Sequence, residues 1–136
     1  VPRKRATKEK GIWQASQGFP GTATILPVLM HEGYHRGRLS LQHIVQVLTS
    51  VPAKIFSIDS RKGDLRVGLD ADITIVDPDL EREVRPEELG SYSDYSLYEG
   101  QKLKGWPCVT IVRGVPVMQD GKIVGPAGHG KYLPRP

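Results

Sequence analysis

The residues best suited to chemistry are His31, Glu32 and His35, which form the pattern H-E-x-x-H. On a helix, the two histidines lie one turn apart and could share a zinc ion, with the glutamate as general base. Taken alone, this spacing is typical of a zinc metalloprotease.

Three features of the surrounding sequence argue against a protease. The extended motif requires a glycine and a histidine further on, but Arg38 and Leu41 occupy those positions. No glutamate occurs between Glu32 and Glu81, so a glutamate ligand from the next helix is also missing. Gly33 lies inside the motif and weakens a helix there. We therefore expect a polar helix end with chance histidines, and keep the metalloprotease only as a third hypothesis.

The remaining candidates lack partners in the sequence. His43 lies in a helical pattern and His129 in a glycine-rich tail, and a structural role is the commoner one for each. Asp70 and Asp72 could bind a metal as a carboxylate pair, but aspartate in a turn before a strand is commoner. Cys108, the single cysteine, has no histidine neighbour, which favours a buried, unreactive thiol. Residue patterns alone therefore predict no catalytic residue and no metal ligand.

The elements that would position these residues begin with a loop over residues 1–21. From Thr22 an apolar pattern predicts a helix that ends near the glycines at positions 33 and 37. Ser40 is typical of an N-cap and precedes a helical pattern over residues 41–48. Pro52 is predicted as the first residue of a further short helix.

The chain changes character near Ile58, after which short apolar runs alternate with turn residues. We predict about five strands, among them residues 71–76, 109–112 and 115–118. Asp120-Gly121 between apolar pairs predicts a tight hairpin. Residues 80–105 are polar and are predicted to form a long excursion from the sheet.

Composition favours a folded domain, with 38% hydrophobic and 25% charged residues among 136. No apolar run approaches the ~20 residues that span a bilayer, and a single cysteine fits a reducing compartment. We therefore expect a cytoplasmic protein without a membrane partner. The formal charge is +4, and much of the excess lies in a basic segment at the start. A solvated segment is the commoner meaning of such a run, and a nucleic-acid arm is the alternative. The residues concerned are Arg3, Lys4, Arg5, Lys8 and Lys10.

The chain opens on Val1 in a polar stretch without a helix or strand signal, which suggests an internal starting point. A few helices followed by a few short strands cannot cover their own apolar faces. We therefore expect large exposed apolar surfaces that segments outside this chain would cover.

Several stretches resemble, in order, the C-terminal third of the cyclic amidohydrolases, which include hydantoinase, dihydropyrimidinase, allantoinase and dihydroorotase. Each stretch is short, but the ordered set covers nearly the whole chain. The stretches include Gly18-Phe19-Pro20-Gly21, Gly37-Arg38-Leu39-Ser40, Pro52-Ala53-Lys54, Asp70-Ala71-Asp72-Ile73, Tyr98-Glu99-Gly100 and Gly130-Lys131-Tyr132-Leu133. The last two favour hydantoinase or dihydropyrimidinase.

The resemblance implies an α/β fold followed by β structure. Residues 1–57 would be the last loop and helices of a TIM-like (β/α)8 barrel. Residues 58–136 would be half of a small composite β-sandwich, whose other strands come from the N-terminal remainder of the enzyme. A homo-oligomer, a dimer or a tetramer, is also implied.

The resemblance further implies a hydrolase that opens a small cyclic amide with two divalent metal ions, usually zinc. The family's metal ligands have no counterpart here, so the chain alone would be inactive and would hold no metal. The family's substrate contacts imply a role for the backbone of Ser16, Gln17 and Gly18, for which an ordinary turn is the alternative. The competing hypothesis is a non-catalytic interaction module, or a homologue that has lost its metal site.

Overall fold

The structure is a computed structural model and describes residues 4–134. Helices precede strands along the chain, as the sequence predicts. The helices are α1 (Ile25–Val28), a π-helix (Leu29–Tyr34), α2 (Leu41–Leu48) and α3 (Ser50–Ile55). The strands are β1 (Ile73–Glu83), β2 (Lys102–Val112), β3 (Val115–Gln119) and β4 (Lys122–Ile123). None of the described helices is long and apolar enough to cross a membrane.

Helix α2 begins where the sequence places it. The Ser40 hydroxyl accepts a hydrogen bond from the backbone N–H of His43 at 3.1 Å, which satisfies one of the free donors of the first turn. The break before α3 falls at Thr49, with φ −128° and ψ −82°. Pro52 is therefore the third residue of α3 and not the first, a position that still tolerates a missing N–H.

The first predicted helix is irregular. A 3-10 turn at Thr22–Thr24 leads into α1, which continues directly into the π-helix. The backbone N–H of His35 donates to the carbonyl of Met30, five residues back, at 3.0 Å. Because each bond spans five residues, side chains four apart lose the alignment that they would have on an α-helix. His31 and His35 of the H-E-x-x-H motif are four residues apart, so they lose this alignment.

The four strands form one antiparallel sheet in the order β1-β2-β3-β4. Ile73 pairs with Ile111 at one end of β1 and Glu83 with Lys102 at the other. The three named strands are confirmed, although residues 4–134 contain four strands where about five were expected, and β1 and β2 extend beyond the predicted ranges. The register of pairing shifts between Asp77 and Glu81. The residues between them resemble a turn in sequence, but in the structure they form a bulge within β1. The excursion is confined to residues 84–101.

The predicted hairpin is confirmed between β3 and β4. Asp120 has φ 49° and Gly121 has φ 82°, the two left-handed residues of a tight turn whose twist matches the strands. Met118 pairs with Ile123 across it.

The core lies where the helices meet the sheet. Val84, Leu103 and Trp106 are buried together, and the Trp106 indole N–H donates to the Leu103 carbonyl at 2.8 Å. Val28 of α1 packs against this cluster, so the helical part and the sheet share apolar contacts. The division at residues 57 and 58 stays a prediction.

The expectation of large exposed apolar surfaces is confirmed. The accessible surface is 9583 Å², whereas a compact monomer of 15.0 kDa has about 7,000 Å². Apolar side chains of α2, α3 and the following loop contribute to the excess. Among them are Val45, Val51, Ile55, Leu65 and Val67.

Candidate functional site

The loop that carries Ser16, Gln17 and Gly18 is closed by Lys8. The Lys8 ammonium donates hydrogen bonds to the carbonyl oxygens of both Ser16 and Gly18. The backbone N–H of Ser16 donates to the carbonyl of Thr7 at 3.1 Å, so main chain and side chain close the loop at the same place. The sequence showed Lys8 only as one member of a basic run, and nothing in the pattern singled it out.

The main chain of Gln17 lies outside this internal network. Within residues 4–134, neither its N–H nor its carbonyl makes a hydrogen bond, and the residue is exposed. The N–H of Gly18 is likewise unpaired among the described residues. Gly18 has φ 78°, which favours glycine and explains why this residue type occurs at the turn. The loop therefore presents main-chain donors and an acceptor together.

A pocket of about 520 Å³ lies beside this loop. This is within the range of about 300–1,000 Å³ that small-molecule sites occupy. Its two walls come from the loop leading into α1 and from the segment between β1 and β2. The lining residues are those at positions 18–24 and 89–92.

The basic segment before the loop is largely solvated, as expected, because the side chains of Lys4 and Arg5 are 53% and 57% exposed. The segment nevertheless makes contacts: Lys8 bonds to the loop carbonyls, and Lys4 and Arg5 lie near acidic residues. The backbone N–H of Arg5 donates to Asp94 Oδ1 at 2.7 Å, and its guanidinium to Glu99 Oε2 at 2.6 Å. Lys4 lies 4.0 Å from Asp94 Oδ2. Lys10 is exposed, and Arg3 lies outside the described residues.

The histidines of the H-E-x-x-H motif hold the π-helix against the sheet. His31 Nδ1 accepts a hydrogen bond from the backbone N–H of Lys104 at 3.2 Å. His35 Nε2 donates to the carbonyl of Pro78 at 2.7 Å, since a carbonyl can only accept. These histidines are thus not chance residues at a helix end, as the sequence suggested, but links to β1 and β2.

The glutamate of the motif is also engaged. Glu32 Oε1 lies 3.0 Å from Arg36 Nε, and Oε2 lies 3.3 Å from Arg38 Nη1. Both carboxylate oxygens of Glu32 are thus paired with guanidinium groups. Residues 4–134 contain no group of three or more His, Cys, Asp or Glu side chains that could hold a metal ion. The geometry therefore gives the metalloprotease hypothesis no support.

Asp70 and Asp72, the other carboxylate pair, bracket the ammonium of Lys62. Lys62 Nζ lies 2.8 Å from Asp70 Oδ2 and also contacts Asp72. Arg61 approaches Asp70 to 3.0 Å, and the backbone N–H of Arg113 donates to Asp72 Oδ1 at 2.8 Å. The cluster joins the loop after α3 to the start of β1 and the β2–β3 turn.

The ionisation of this cluster follows from its contacts. Hydrogen bonds from Lys62 and Arg61 lower the pKa of Asp70. Burial opposes the charge of Asp72, but hydrogen bonds from Lys62 and the Arg113 backbone outweigh it and lower that pKa. Burial likewise opposes the charge of Lys62, yet hydrogen bonds to both carboxylates raise its pKa. All three groups are thus held in their charged forms, as a structural ion cluster requires.

The remaining candidates have structural surroundings. His43 is exposed on α2. His129 Nε2 donates to the carbonyl of Val112 at 2.9 Å, which ties the tail to the end of β2. Cys108 is half-buried, less than expected, and its thiol lies 3.9 Å from the Trp106 carbonyl.

Comparison with known proteins identifies the family. The model of the Amidohydrolase family matches residues 19–124, which is most of the chain. The chain belongs to the amidohydrolase family. The matched region includes the pocket wall at positions 19–24, both long strands and the hairpin.

Curated relatives within this family are hydantoinases and dihydroorotases. The L-hydantoinase of Paenarthrobacter aurescens is 38% identical over 126 residues, which cover 93% of this chain and 28% of that protein. The dihydroorotase of Methanothermobacter thermautotrophicus is 39% identical over 134 residues, 98% of this chain and 30% of that protein. The amidohydrolase chain thus spans less than a third of the length of these relatives.

Solved structures agree with the sequence comparison. The D-hydantoinase (dihydropyrimidinase) from Thermus sp. superposes with a TM-score of 0.92 at 31% identity, covering 98% of this chain and 30% of that one. The L-hydantoinase (dihydropyrimidinase) from Arthrobacter aurescens gives 0.87 at 38% identity, with 93% and 28% covered. The arrangement of helices and sheet in this amidohydrolase chain therefore matches a part of the hydantoinase structure.

Proposed function

We propose that this chain is the C-terminal part of a metal-dependent hydrolase that opens cyclic amides of the hydantoin, dihydropyrimidine, dihydroorotate or allantoin type. The observation that carries the proposal is identity of 38–39% with an L-hydantoinase and a dihydroorotase across more than nine-tenths of the chain. Identity at this level over a continuous region favours a shared reaction class, although it leaves the individual ring open.

In this proposal, residues 1–57 belong to the end of a (β/α)8 barrel and residues 58–136 to a composite β-sandwich. The exposed apolar side chains of α2 and α3 support it, because Val45 is 57% and Ile55 71% exposed. Such side chains are normally covered in a folded protein, here by the N-terminal remainder of the enzyme. We also propose that the full-length enzyme is a homo-oligomer in the cytoplasm.

The chain's own contribution would be to hold the substrate ring. A cyclic amide offers a C=O beside an N–H, and an exposed main-chain N–H and C=O at Gln17 complement that edge. Of the three residues expected to take part, Ser16 and Gly18 have their carbonyls bound to Lys8. Gln17 N–H, Gln17 C=O and Gly18 N–H are therefore the groups left to bind the ring.

The two divalent metal ions of the proposed enzyme, usually zinc, do not fit the residues described here. Residues 4–134 bring no three suitable side chains together, and the ring nitrogens of His31 and His35 that bond to the sheet are already used. In this proposal, the metal ligands belong to the N-terminal remainder of the enzyme. Catalysis of ring opening is assigned to that part, and ring binding to this one.

The test is an assay of the full-length enzyme, loaded with zinc, against hydantoin, dihydrouracil, dihydroorotate and allantoin. Ring opening of at least one of these is expected, and the pattern of rates identifies the substrate class. Absence of turnover on all four, with zinc stoichiometrically bound, would instead favour a non-catalytic module. Absence of both turnover and zinc would favour a homologue that has lost its metal site.

A further inference from the structure

We propose that Lys8 is a positioning residue for substrate binding, which sets the direction of the Gln17 main chain. This rests on the proposed function, because it assumes that the loop over residues 16–18 holds the ring. Lys8 is half-buried, and its ammonium bridges the carbonyls of Ser16 and Gly18. Within residues 4–134, no other side chain hydrogen-bonds to these three residues.

Peptide geometry gives the bridge its effect. In a trans peptide, the C=O and the N–H of the same unit point in opposite directions, and no described peptide is cis. The Ser16 carbonyl faces Lys8, so the Gln17 N–H that shares its peptide plane must point away from Lys8. The Gly18 carbonyl also faces Lys8, which orients the peptide unit between Gly18 and Phe19. The peptide unit that carries the Gln17 C=O and the Gly18 N–H therefore lies between two oriented units, and the Gln17 N–H is directed away from Lys8.

The segment that precedes Lys8 is held in place by contacts of its own. Arg5 is fixed to Asp94 and Glu99 on the segment between β1 and β2, and Thr7 accepts from the Ser16 N–H. Lys8 therefore extends from a supported turn and not from a free end. The lysine ammonium offers three donors and reaches both carbonyls at once, whereas a methionine of similar length offers none.

The test compares three variants of the full-length enzyme in steady-state kinetics. Lys8→Met removes the donors and keeps the length. Lys8→Arg keeps a cation with several donors. Lys10→Met is the matched control, because Lys10 is exposed and makes no hydrogen bond or ion pair among the described residues. Zinc content and melting temperature are measured for each variant.

We expect Lys8→Met to raise KM about tenfold, the effect of one misplaced hydrogen bond, with kcat changed far less. Lys8→Arg should restore most of the KM, and Lys10→Met should behave as wild type. If Lys8→Met does not fold, Lys8→Gln, which keeps one donor arm, is measured in its place. Wild-type KM in a folded, zinc-loaded Lys8 variant would overturn the role of Lys8 alone. Absence of turnover by the wild-type enzyme would overturn the proposed function and this inference together.

Discussion

Gly105 of β2 faces Met30 of the π-helix so closely that a Cβ at position 105 would lie 2.3 Å from the Met30 Cβ. Gly105 also has φ 93°, a backbone conformation that side chains other than glycine rarely adopt. The close approach allows His31, the next residue, to accept the N–H of Lys104. One glycine thus sets the distance between the helical part and the sheet.

Gly105→Ala should destabilise the protein by about 3 kcal/mol or more, since it adds both left-handed strain and an overlap with Met30. Gly100→Ala is the matched control, because Gly100 has φ 78° but nothing within 4 Å of a Cβ. That variant should lose only about 1–2 kcal/mol, the cost of the backbone strain. Denaturant unfolding of the full-length enzyme measures both. Equal losses in the two variants would show that the contact with Met30 has no energetic effect.

The ion cluster around Lys62 should make stability depend on pH at both extremes. The pKa values of Asp70 and Asp72 are lowered, so their contribution is present above their ordinary pKa of 3.8 and is lost as the pH falls through the lowered values. The pKa of Lys62 is raised, so its contribution is present below 10.5 and is lost as the pH rises through the raised value.

Lys62→Met should therefore flatten both limbs of the profile of melting temperature against pH. Lys54→Met serves as the control, because the Lys54 side chain is exposed and unpaired among residues 4–134. It should reproduce the wild-type profile. An unchanged profile in Lys62→Met would mean that the cluster does not contribute to folding.

His31→Ala and His35→Ala should leave the zinc content of the full-length enzyme unchanged, because both side chains bond to the sheet backbone. His31→Ala should lose about 1–2 kcal/mol of stability, since the partly buried Lys104 N–H is left unpaired. His35→Ala should lose less, because water can replace its exposed bond to the Pro78 carbonyl. Mass spectrometry measures the zinc content of each variant, and a thermal melt measures its stability. Loss of zinc in either variant, at full folding, would reinstate the motif as a metal site.

The isolated 136-residue chain should bind the dye ANS and associate, because its accessible surface exceeds that of a compact monomer by about a third. Light scattering and dye fluorescence test this at micromolar concentration. A monomer with a sharp, reversible melt and no dye binding would contradict it.

The sequence predicted the elements that depend on local signals. Ser40 marked the start of α2, and Asp120-Gly121 marked the hairpin, because capping and left-handed turns require particular residue types. The ends of β1 could not be predicted in the same way. The stretch around Pro78 resembles a turn, and only pairing with β2, distant in sequence, carries the strand through it.

The candidate site shows the same division. The backbone role of residues 16–18 was expected from a resemblance, but the lysine that closes the loop was not. Lys8 and Gly18 are ten residues apart in sequence and are joined by a hydrogen bond whose existence depends on how the loop folds. The structural role of the two histidines in the H-E-x-x-H motif could not be predicted either, because their partners Pro78 and Lys104 lie far along the chain.

The most direct measurement compares zinc-supplemented hydrolysis of the four ring substrates by the full-length enzyme and by the 136-residue chain at equal molar concentration. We expect turnover and bound zinc in the full-length enzyme, and neither in the shorter chain. Ring opening by the 136-residue chain alone would contradict it, because the residues that carry the chemistry would then lie within this part of the protein.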